Sequence, residues 1–262
     1  MHVTVNGIRL NYEIEGPQDA PVVTFAHALG NSLRLWDDVA AALKDRYRVL
    51  RYDQRGHGLS AAKPGPYTFP ELEDDALGLL DALGIGKTHW VGLSIGGMIG
   101  YGLAIRAPER LASLVACDAR PDAPPDYAAY FQSRIDKART LGMASLAQLS
   151  VERWFTPRTV AADPPVLEKI RNLVATTDPV GHAGCCEALK TLAYGPRLHL
   201  IRVPTLILGG AEDLGAPPDK LAEAAAKIPG AVHVTLPDAG HITPIEAPEA
   251  FLAALNDHLA RH

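Results

Sequence analysis

The sequence predicts an α/β protein with a mostly parallel eight-stranded sheet, helices on both faces of the sheet and a helical cap. Short β-rich runs alternate with longer apolar stripes of helical spacing along most of the chain. This alternation is interrupted once, between residues 120 and 202, where helical patterns follow one another. The length of 262 residues suits one main domain of this class.

The strands are predicted from short apolar runs. The first two, HVTVN and IRLNYEIE, flank Asn6-Gly7, a dipeptide that favours a two-residue hairpin turn, so they should form an antiparallel edge. Six further runs have the continuous apolar character of strands that are covered on both faces in a parallel sheet. They are VVTFAH, YRVLRYD, THWVGL, LASLVAC, PTLILGG and AVHVTLP.

Helices are predicted where apolar residues recur every three or four positions, because such residues form one stripe along a helix. One stripe lies in the first half of the chain and consists of Leu72, Ala76, Leu79, Leu80 and Leu83. Two more consist of Val166, Ile170, Leu173 and Val174, and of Phe251, Leu252, Leu255 and Leu259. Strands that alternate with such helices predict right-handed βαβ units.

Residues 120–202 are predicted to form the helical cap, and the segments 1–119 and 203–262 to form the α/β core. The cap contains no strong strand pattern. A helical insertion between two sheet strands is expected to cover the carboxyl edge of the sheet, where ligands of α/β proteins bind. The cap should therefore contribute to a binding site.

Composition and charge exclude several classes of function. Hydrophobic residues make up 47% of the chain, and the net charge is −5. Nucleic-acid binding requires a basic excess that this chain lacks, so nucleic acid is not expected as a partner. No run approaches the roughly 20 apolar residues that span a bilayer. The start, MHVTVNGIRL, lacks the order of a signal peptide, so we expect a cytoplasmic protein with no membrane partner.

Cofactor-binding motifs are absent from the sequence. It contains no HExxH, no CxxC pair and no glycine-rich phosphate loop ending in Lys, so neither a metal nor a nucleotide cofactor is expected. The three cysteines, Cys117, Cys185 and Cys186, indicate reduced thiols, because adjacent cysteines rarely form a bridge without strain. The sequence leaves the oligomeric state open.

A serine follows the predicted strand THWV in the pattern Gly92-Leu93-Ser94-Ile95-Gly96 and precedes an apolar helical run. Strand, G-x-S-x-G and helix in this order are typical of a nucleophile elbow, a sharp turn that raises the serine at the sheet edge. The two glycines allow strand and helix to approach closely. Ser94 is therefore the candidate nucleophile; the alternative is a glycine-rich turn with an incidental serine.

A serine nucleophile needs a base, and the base needs an acid that orients it. His241 follows the last predicted strand, so it should reach the same sheet edge as Ser94. Asp213 follows the strand PTLILGG and is the preferred acid. Asp118 follows the strand LASLVAC and is the rival, since some proteins of this fold place the acid there.

Two backbone N–H groups are expected to stabilise the oxyanion that forms when a serine attacks a carbonyl. One belongs to Ile95, at the start of the helix that follows the nucleophile. The other belongs to Leu29, in the loop His27-Ala28-Leu29-Gly30 after the strand VVTFAH. His27 is expected to hold that loop.

These motifs resemble the α/β-hydrolase superfamily over essentially the whole chain. The likeness lies in the order of Ser94, Asp213 and His241, the HALG loop, the segment RYDQRGHGLS and the elbow GLSIGGM. Within the superfamily the chain is most similar to the 3-oxoadipate enol-lactonase group, in NSLRLWDD, LRYDQRGHGLS, PGPYTFPELEDDALGLLDALGI, ERWFTP and ATTDPVGHAGCCEAL. The resemblance implies the α/β-hydrolase fold and a serine hydrolase that opens a small carboxylate-bearing lactone through an acyl-enzyme.

Two segments depart from the lactonase pattern. They are Asp118-Ala119-Arg120-Pro121-Asp122, where the lactonases tend to carry small uncharged residues, and Leu214-Gly215-Ala216 after the candidate acid. A changed substrate is therefore one alternative, and a broad-specificity carboxylesterase of small esters is another. A non-catalytic binding protein on the same fold is a third, which the intact triad disfavours.

Two cap residues are candidates for substrate contact. Arg134 is on a predicted early cap helix, and the lactonase pattern has an arginine at this position. A guanidinium binds a carboxylate with two parallel hydrogen bonds. The alternative is a solvated arginine paired with Asp136 or a neighbour. Trp154 is the second candidate, with core packing as its alternative, and Trp36 and Trp90 are expected in the core.

Overall fold

The structure, a computed structural model, describes all 262 residues and contains one eight-stranded sheet. Its strands are β1 (His2–Val5), β2 (Ile8–Glu15), β3 (Val22–Ala26), β4 (Arg48–Tyr52), β5 (Thr88–Leu93), β6 (Leu111–Cys117), β7 (Thr205–Gly210) and β8 (Val232–Leu236). Their order across the sheet is β1-β2-β4-β3-β5-β6-β7-β8. Only the pairs β1–β2 and β2–β4 are antiparallel. The predicted fold class is confirmed.

Helices connect the strands and cover the sheet. They are α1 (Asp37–Leu43), α2 (Phe69–Ala82), α3 (Ile95–Arg106), α4 (Tyr127–Leu141), α5 (Ala144–Trp154), α6 (Pro157–Ala162), α7 (Pro165–Thr176), α8 (Pro179–Lys190), α9 (Pro218–Lys227), α10 (Thr243–Glu246) and α11 (Pro248–Ala260). The three predicted apolar stripes lie in α2, α7 and α11, except that Leu83, the last residue of the first stripe, directly follows the end of α2. None of the helices combines the length and the apolar character that crossing a membrane requires.

The N-terminal hairpin has the predicted turn. Asn6 and Gly7 both have positive φ angles, 49° and 68°, which a two-residue turn of the primed type requires. The pairing of Val5 with Ile8 closes the hairpin, and β1 forms the antiparallel edge of the sheet.

The core lies on both faces of the sheet because successive strand residues point to opposite sides. Trp90 and Val91 in β5 belong to two different apolar clusters. One cluster reaches α2 through Leu79, and the other reaches α11 through Phe251. Trp36 and Trp90 are fully buried, so their predicted place in the core is confirmed.

Five α-helices, α4 to α8, stand between β6 and β7. Within this group α4 packs on α8, and α5 packs on α7. The predicted limits of the cap, 120 and 202, fall in the connections between these helices and the two strands. The division of the chain into core and cap stays a prediction, and the word cap names residues 120–202 without implying a separate domain.

One predicted core strand lies at the edge of the sheet. The run AVHVTLP forms β8, whose only neighbour is β7, and Val232 is 50% exposed. The prediction that this run is a buried core strand is therefore wrong, because Leu236 alone of the five residues of β8 is buried. An apolar run indicates that a strand has buried contacts. Whether the strand lies in the centre or at the edge of the sheet depends on the strand order, which the run does not indicate.

Candidate active site

Ser94 lies in a tight turn between β5 and α3. Its backbone has φ 55° and ψ −120°, an unfavourable conformation for a residue with a side chain, and its N–H donates to the carbonyl of Cys117 at 2.8 Å. Space around the turn is minimal: a Cβ added at Gly92 would overlap the carbonyl of Gly96. The glycines of the predicted elbow thus permit the turn, and Ser94 is left half-buried at the wall of a pocket.

Asp213 and His241 follow the neighbouring parallel strands β7 and β8, so both reach the carboxyl edge of the sheet. Nδ1 of His241 donates to Oδ2 of Asp213 at 2.7 Å, and the N–H of Gly215 donates to Oδ1 at 2.6 Å. With its proton on Nδ1, His241 has a free lone pair on Nε2. His241 lines the same pocket as Ser94. This arrangement suits a histidine that accepts the proton of a serine hydroxyl.

The pKa values of the pair are moved in opposite directions. Burial alone lowers the pKa of His241, but the charge and the hydrogen bond of Asp213 outweigh it and raise the pKa above its usual value. For Asp213, burial raises the pKa, yet the interactions with His241 and with backbone N–H groups lower it overall. Asp213 is therefore an anion that stabilises the imidazolium form of His241.

Asp118, the rival acid, has other partners. Its Oδ1 accepts from the N–H of Gly210 at 2.9 Å, and its Oδ2 accepts from the hydroxyl of Thr243 at 2.6 Å. Burial, followed by the charge of Asp213, raises the pKa of Asp118 well above its usual value. The side chain thus links the end of β7 to the start of α10. Of the two candidate acids, only Asp213 is hydrogen-bonded to His241.

The loop that carries Leu29 is held by two buried histidines. Nε2 of His57 accepts from the N–H of Gly30 at 3.0 Å, and Nε2 of His27 accepts from the N–H of Gln54 at 3.0 Å. Burial lowers the pKa of His27 to about 4 and that of His57 to about 3, so both rings are neutral acceptors. The N–H of Leu29 itself has no acceptor in the protein.

Leu29 lines the pocket beside Ser94, while Ile95 begins α3. An N–H group at a helix N-terminus and a second N–H without an acceptor both favour negative charge nearby. Such N–H groups suit an oxyanion near Ser94. His57 supports the loop that carries Leu29 through its bond to Gly30.

The pocket has about 550 Å³ of empty space, including its open mouth. Residues of the α/β core form one wall: Ala28, Leu29, Ser94, Met98, Gly215 and His241. Residues of the cap form the other: Tyr127, Tyr130, Phe131, Arg134, Arg153, Trp154 and Leu189. Both predicted substrate contacts, Arg134 and Trp154, are on this second wall.

Arg134 is buried in the pocket wall and has no carboxylate partner. Its Nη2 donates to the hydroxyl of Ser150 at 2.9 Å, and its Nη1 reaches the hydroxyl of Tyr130 at 3.4 Å. Its Nε has no partner, and the side chain takes part in no salt bridge. Asp136, the alternative partner expected from the sequence, instead accepts from Gln132 at 2.9 Å. Arg134 is thus not a solvated helix residue, since only 6% of it is exposed.

Sequence reasoning missed Arg153, which also lines the pocket. Its Nη2 donates to the carbonyl of Leu214 at 3.0 Å, and its guanidinium carbon lies 5.5 Å from the ring centre of Tyr130. The guanidinium carbon of Arg134 lies 5.8 Å from the same ring centre. The available signal was the position of Arg153 directly before the candidate Trp154. Two cations therefore flank one aromatic ring in this wall.

No group of three or more His, Cys, Asp or Glu side chains is arranged to hold a metal ion. The chemistry that the described residues support is nucleophilic attack by a serine, with a histidine base and with cations for an anionic ligand.

Comparisons with known proteins identify the family of the chain. A family model described as alpha/beta hydrolase fold matches residues 21–248. The chain is 35% identical to 3-oxoadipate enol-lactonase 2 of Acinetobacter baylyi, over 99% of this chain and 96% of the relative. It is 31% identical to the putative carbamate hydrolase RutD of Caulobacter sp. (strain K31), over 98% of this chain and 97% of the relative.

Comparison with solved structures indicates the same family. The enol-lactonase from Burkholderia xenovorans LB400 matches with a TM-score of 0.95 and 39% identity, covering 99% of this chain and 100% of that chain. The predicted likeness to the enol-lactonase group is confirmed. The chain belongs to the α/β-hydrolase family and is a hydrolase of the carboxylic-ester class.

Proposed function

We propose that this enzyme is a serine hydrolase that opens a small lactone bearing a carboxylate, an enol-lactone of the 3-oxoadipate type. The observation that carries the proposal is Arg134, a buried guanidinium without a carboxylate partner in the same pocket as Ser94. Burying an unpaired charge is costly, and a carboxylate of the substrate would remove that cost. The similarity to enol-lactonases supports the same substrate class.

In the proposed reaction Ser94 attacks the lactone carbonyl while Nε2 of His241 takes its proton. Asp213 holds the Nδ1–H tautomer and stabilises the imidazolium. The N–H groups of Leu29 and Ile95 donate to the oxyanion. Collapse breaks the ring C–O bond, and the ring oxygen leaves as an enolate. The proton held by His241 neutralises the enolate, and the resulting enol tautomerises to a ketone. Because an enol is a good leaving group, this step needs little acid help.

Water completes the reaction. His241 removes a proton from a water molecule, which attacks the acyl-enzyme, and Ser94 leaves with its proton restored. The product is an open-chain keto acid with one carboxylate more than the lactone. Trp154 and the other aromatic residues of the cap wall would contact the apolar part of the substrate.

The competing functions differ from the proposed one in their dependence on Arg134 or in the substrate that the enzyme turns over. A broad-specificity carboxylesterase of small esters would not depend on a cation in the pocket. A carbamate hydrolase, as the relative RutD is described, would turn over a carbamate in preference to a lactone. A non-catalytic binding protein would turn over neither.

The experiment compares Arg134→Leu and Arg134→Lys with the unchanged enzyme on a carboxylate-bearing enol-lactone, p-nitrophenyl acetate and a simple carbamate. The KM of Arg134→Leu for the lactone should rise at least about tenfold, equivalent to about 1.4 kcal/mol, with little change for the neutral ester. Lysine should restore little, because it cannot donate two parallel hydrogen bonds.

The matched control is Arg139→Leu, which removes an exposed arginine from the same helix, α4. It should leave the KM values for the lactone and the ester unchanged, which excludes a general charge effect. Equal losses on lactone and ester in Arg134→Leu would assign Arg134 to the structure of the cap. No loss on either would return the enzyme to the general-esterase function, and a preference for the carbamate would contradict the lactone.

A further inference from the structure

The loop that carries His241 is hydrogen-bonded directly to the cap. The N–H of His241 donates to the carbonyl of Trp154 at 2.6 Å. One residue earlier, the N–H of Gly240 donates to Oε2 of Glu246 at 2.7 Å. Oε1 of Glu246 accepts from the N–H of Thr156 at 2.9 Å and from its hydroxyl at 2.6 Å. Glu246, at the end of α10, thus joins the histidine loop to Thr156, the residue that precedes α6.

The chemistry of this contact requires a carboxylate. Three donors meet the two oxygens of Glu246, and two of the three are backbone N–H groups that cannot reverse their role. A glutamine has one acceptor oxygen and one donor group. In either orientation, its amide N–H₂ would face the N–H of Gly240 or that of Thr156. A neutral isostere therefore leaves at least one of these N–H groups without an acceptor.

The contact sets the backbone on which the candidate base stands. A Cβ added at Gly240 would lie 2.6 Å from the carbonyl oxygen of Trp154, so loop and cap are in close contact there. Asp213 fixes the imidazole of His241 at Nδ1, but the main chain of His241 is held by Trp154. A small shift of that main chain would move Nε2 away from Ser94, and rates of proton transfer and attack depend steeply on such distances.

We propose that Glu246 is a positioning residue that locks the His241 loop onto the cap segment Trp154–Thr156. His241 is then correctly positioned to take the proton of Ser94 only while this segment of the cap is packed against the His241 loop. Trp154 has two parts in this arrangement: its side chain lines the pocket, and its carbonyl holds His241. The inference rests on the proposed role of His241 as the base.

The test measures kcat and KM of Glu246→Gln with p-nitrophenyl acetate, with active-site titration by a serine-directed phosphonate. We expect kcat to fall about tenfold or more and KM to change by less than about threefold, because the base is displaced while the pocket remains. The titration is run to completion, so that sites that react slowly with the phosphonate are still counted and slowed chemistry is separated from a loss of folded protein. Thr156→Val removes the hydroxyl that donates to Glu246 and that also caps α6 by accepting from the N–H of Thr159. Because the N–H of Thr156 remains, this variant should give a smaller fall in kcat.

The matched control is Arg158→Ala. Arg158 joins the cap to the same loop through exposed bonds, with Nη1 3.2 Å from Oδ1 of Asp238 and Nη2 3.1 Å from its carbonyl. The kcat of Arg158→Ala should stay within about twofold of the kcat of the unchanged enzyme, since an exposed ion pair contributes little to holding the loop.

A Glu246→Gln enzyme with normal kcat, or one whose loss is fully explained by fewer titrated sites, would overturn the proposal. If Glu246→Gln does not fold, Thr156→Val decides, and a normal kcat there would overturn it too. Full activity of His241→Ala would instead refute the proposed function. Inactive His241→Ala together with fully active Glu246→Gln would refute the positioning role alone.

Discussion

Exchanging Asp213 for asparagine should lower kcat about ten-thousandfold, whereas the same exchange at Asp118 should lower it less than about threefold. Both carboxyl groups are buried at the carboxyl edge of the sheet, and both accept two hydrogen bonds. They differ in their partners. Asp213 accepts from the imidazole of His241, whereas Asp118 accepts from a hydroxyl.

The large loss at Asp213 follows from its two acceptor oxygens. Oδ1 is taken by the N–H of Gly215 at 2.6 Å, which favours placing the asparagine oxygen there. The N–H₂ group then faces Nδ1 of His241 and selects the tautomer with its proton on Nε2. That tautomer cannot accept the proton of Ser94. A ten-thousandfold fall in kcat corresponds to an increase of about 5.5 kcal/mol in the activation free energy.

The small loss at Asp118 follows from the partner at Oδ2. The hydroxyl of Thr243 can accept as well as donate, so an asparagine keeps both bonds: its oxygen with the N–H of Gly210 and its N–H₂ with Thr243. Asparagine also tolerates the left-handed backbone of Asp118, whose φ is 49°. Structure and catalytic geometry should both survive the exchange.

The assay is turnover of p-nitrophenyl acetate by each purified variant, followed by absorbance, with the melting temperature measured for both. The melting temperatures should stay close to that of the unchanged enzyme. A mild Asp213→Asn together with a damaging Asp118→Asn would refute the assignment of the acid and transfer the role to Asp118.

Two further predictions concern pH. Asp213 raises the pKa of His241 above its usual 6.5, and the base must be neutral to act. We therefore expect kcat/KM to fall as the pH drops through a value above 6.5. A fall in kcat/KM that begins only below pH 6 would contradict this. Burial lowers the pKa of His57 to about 3, so only the unfolded chain binds its proton between pH 6.5 and about 4. As the pH drops from 6.5 to about 4, His57 should therefore lower the free energy of unfolding by about 1.4 kcal/mol per pH unit. In urea unfolding, His57→Gln should remove this contribution to the pH dependence. A pH dependence that is the same in the variant would contradict the prediction.

Local patterns sufficed for most of the elements and for the residues of the nucleophile elbow. The Asn6-Gly7 turn and the G-x-S-x-G elbow depend on backbone conformations that neighbouring residues decide. Asp213 and His241 could be brought together because both directly follow predicted parallel strands, whose carboxyl ends share one edge. The sequence favoured Asp213 as the acid but kept Asp118 as the rival, since both residues satisfy that condition.

Contacts between distant segments could not be predicted in this way. The bond from His241 to Trp154 and the contacts of Glu246 with Thr156 join the loop to the cap across about ninety positions. The hydrogen bond from Arg134 to Ser150 of α5 is another such contact, which helical spacing within α4 does not indicate. The edge position of β8 likewise follows from strand order, a property of the assembled sheet.

The most direct measurement is mass spectrometry of the enzyme quenched during turnover of a carboxylate-bearing enol-lactone, followed by peptide mapping. An adduct with the mass of the ring-opened acyl group should appear on the peptide that contains Ser94, and it should be absent in Ser94→Ala, whose turnover should fall about a thousandfold or more. An adduct on another residue, or normal turnover by Ser94→Ala, would contradict nucleophilic catalysis by Ser94.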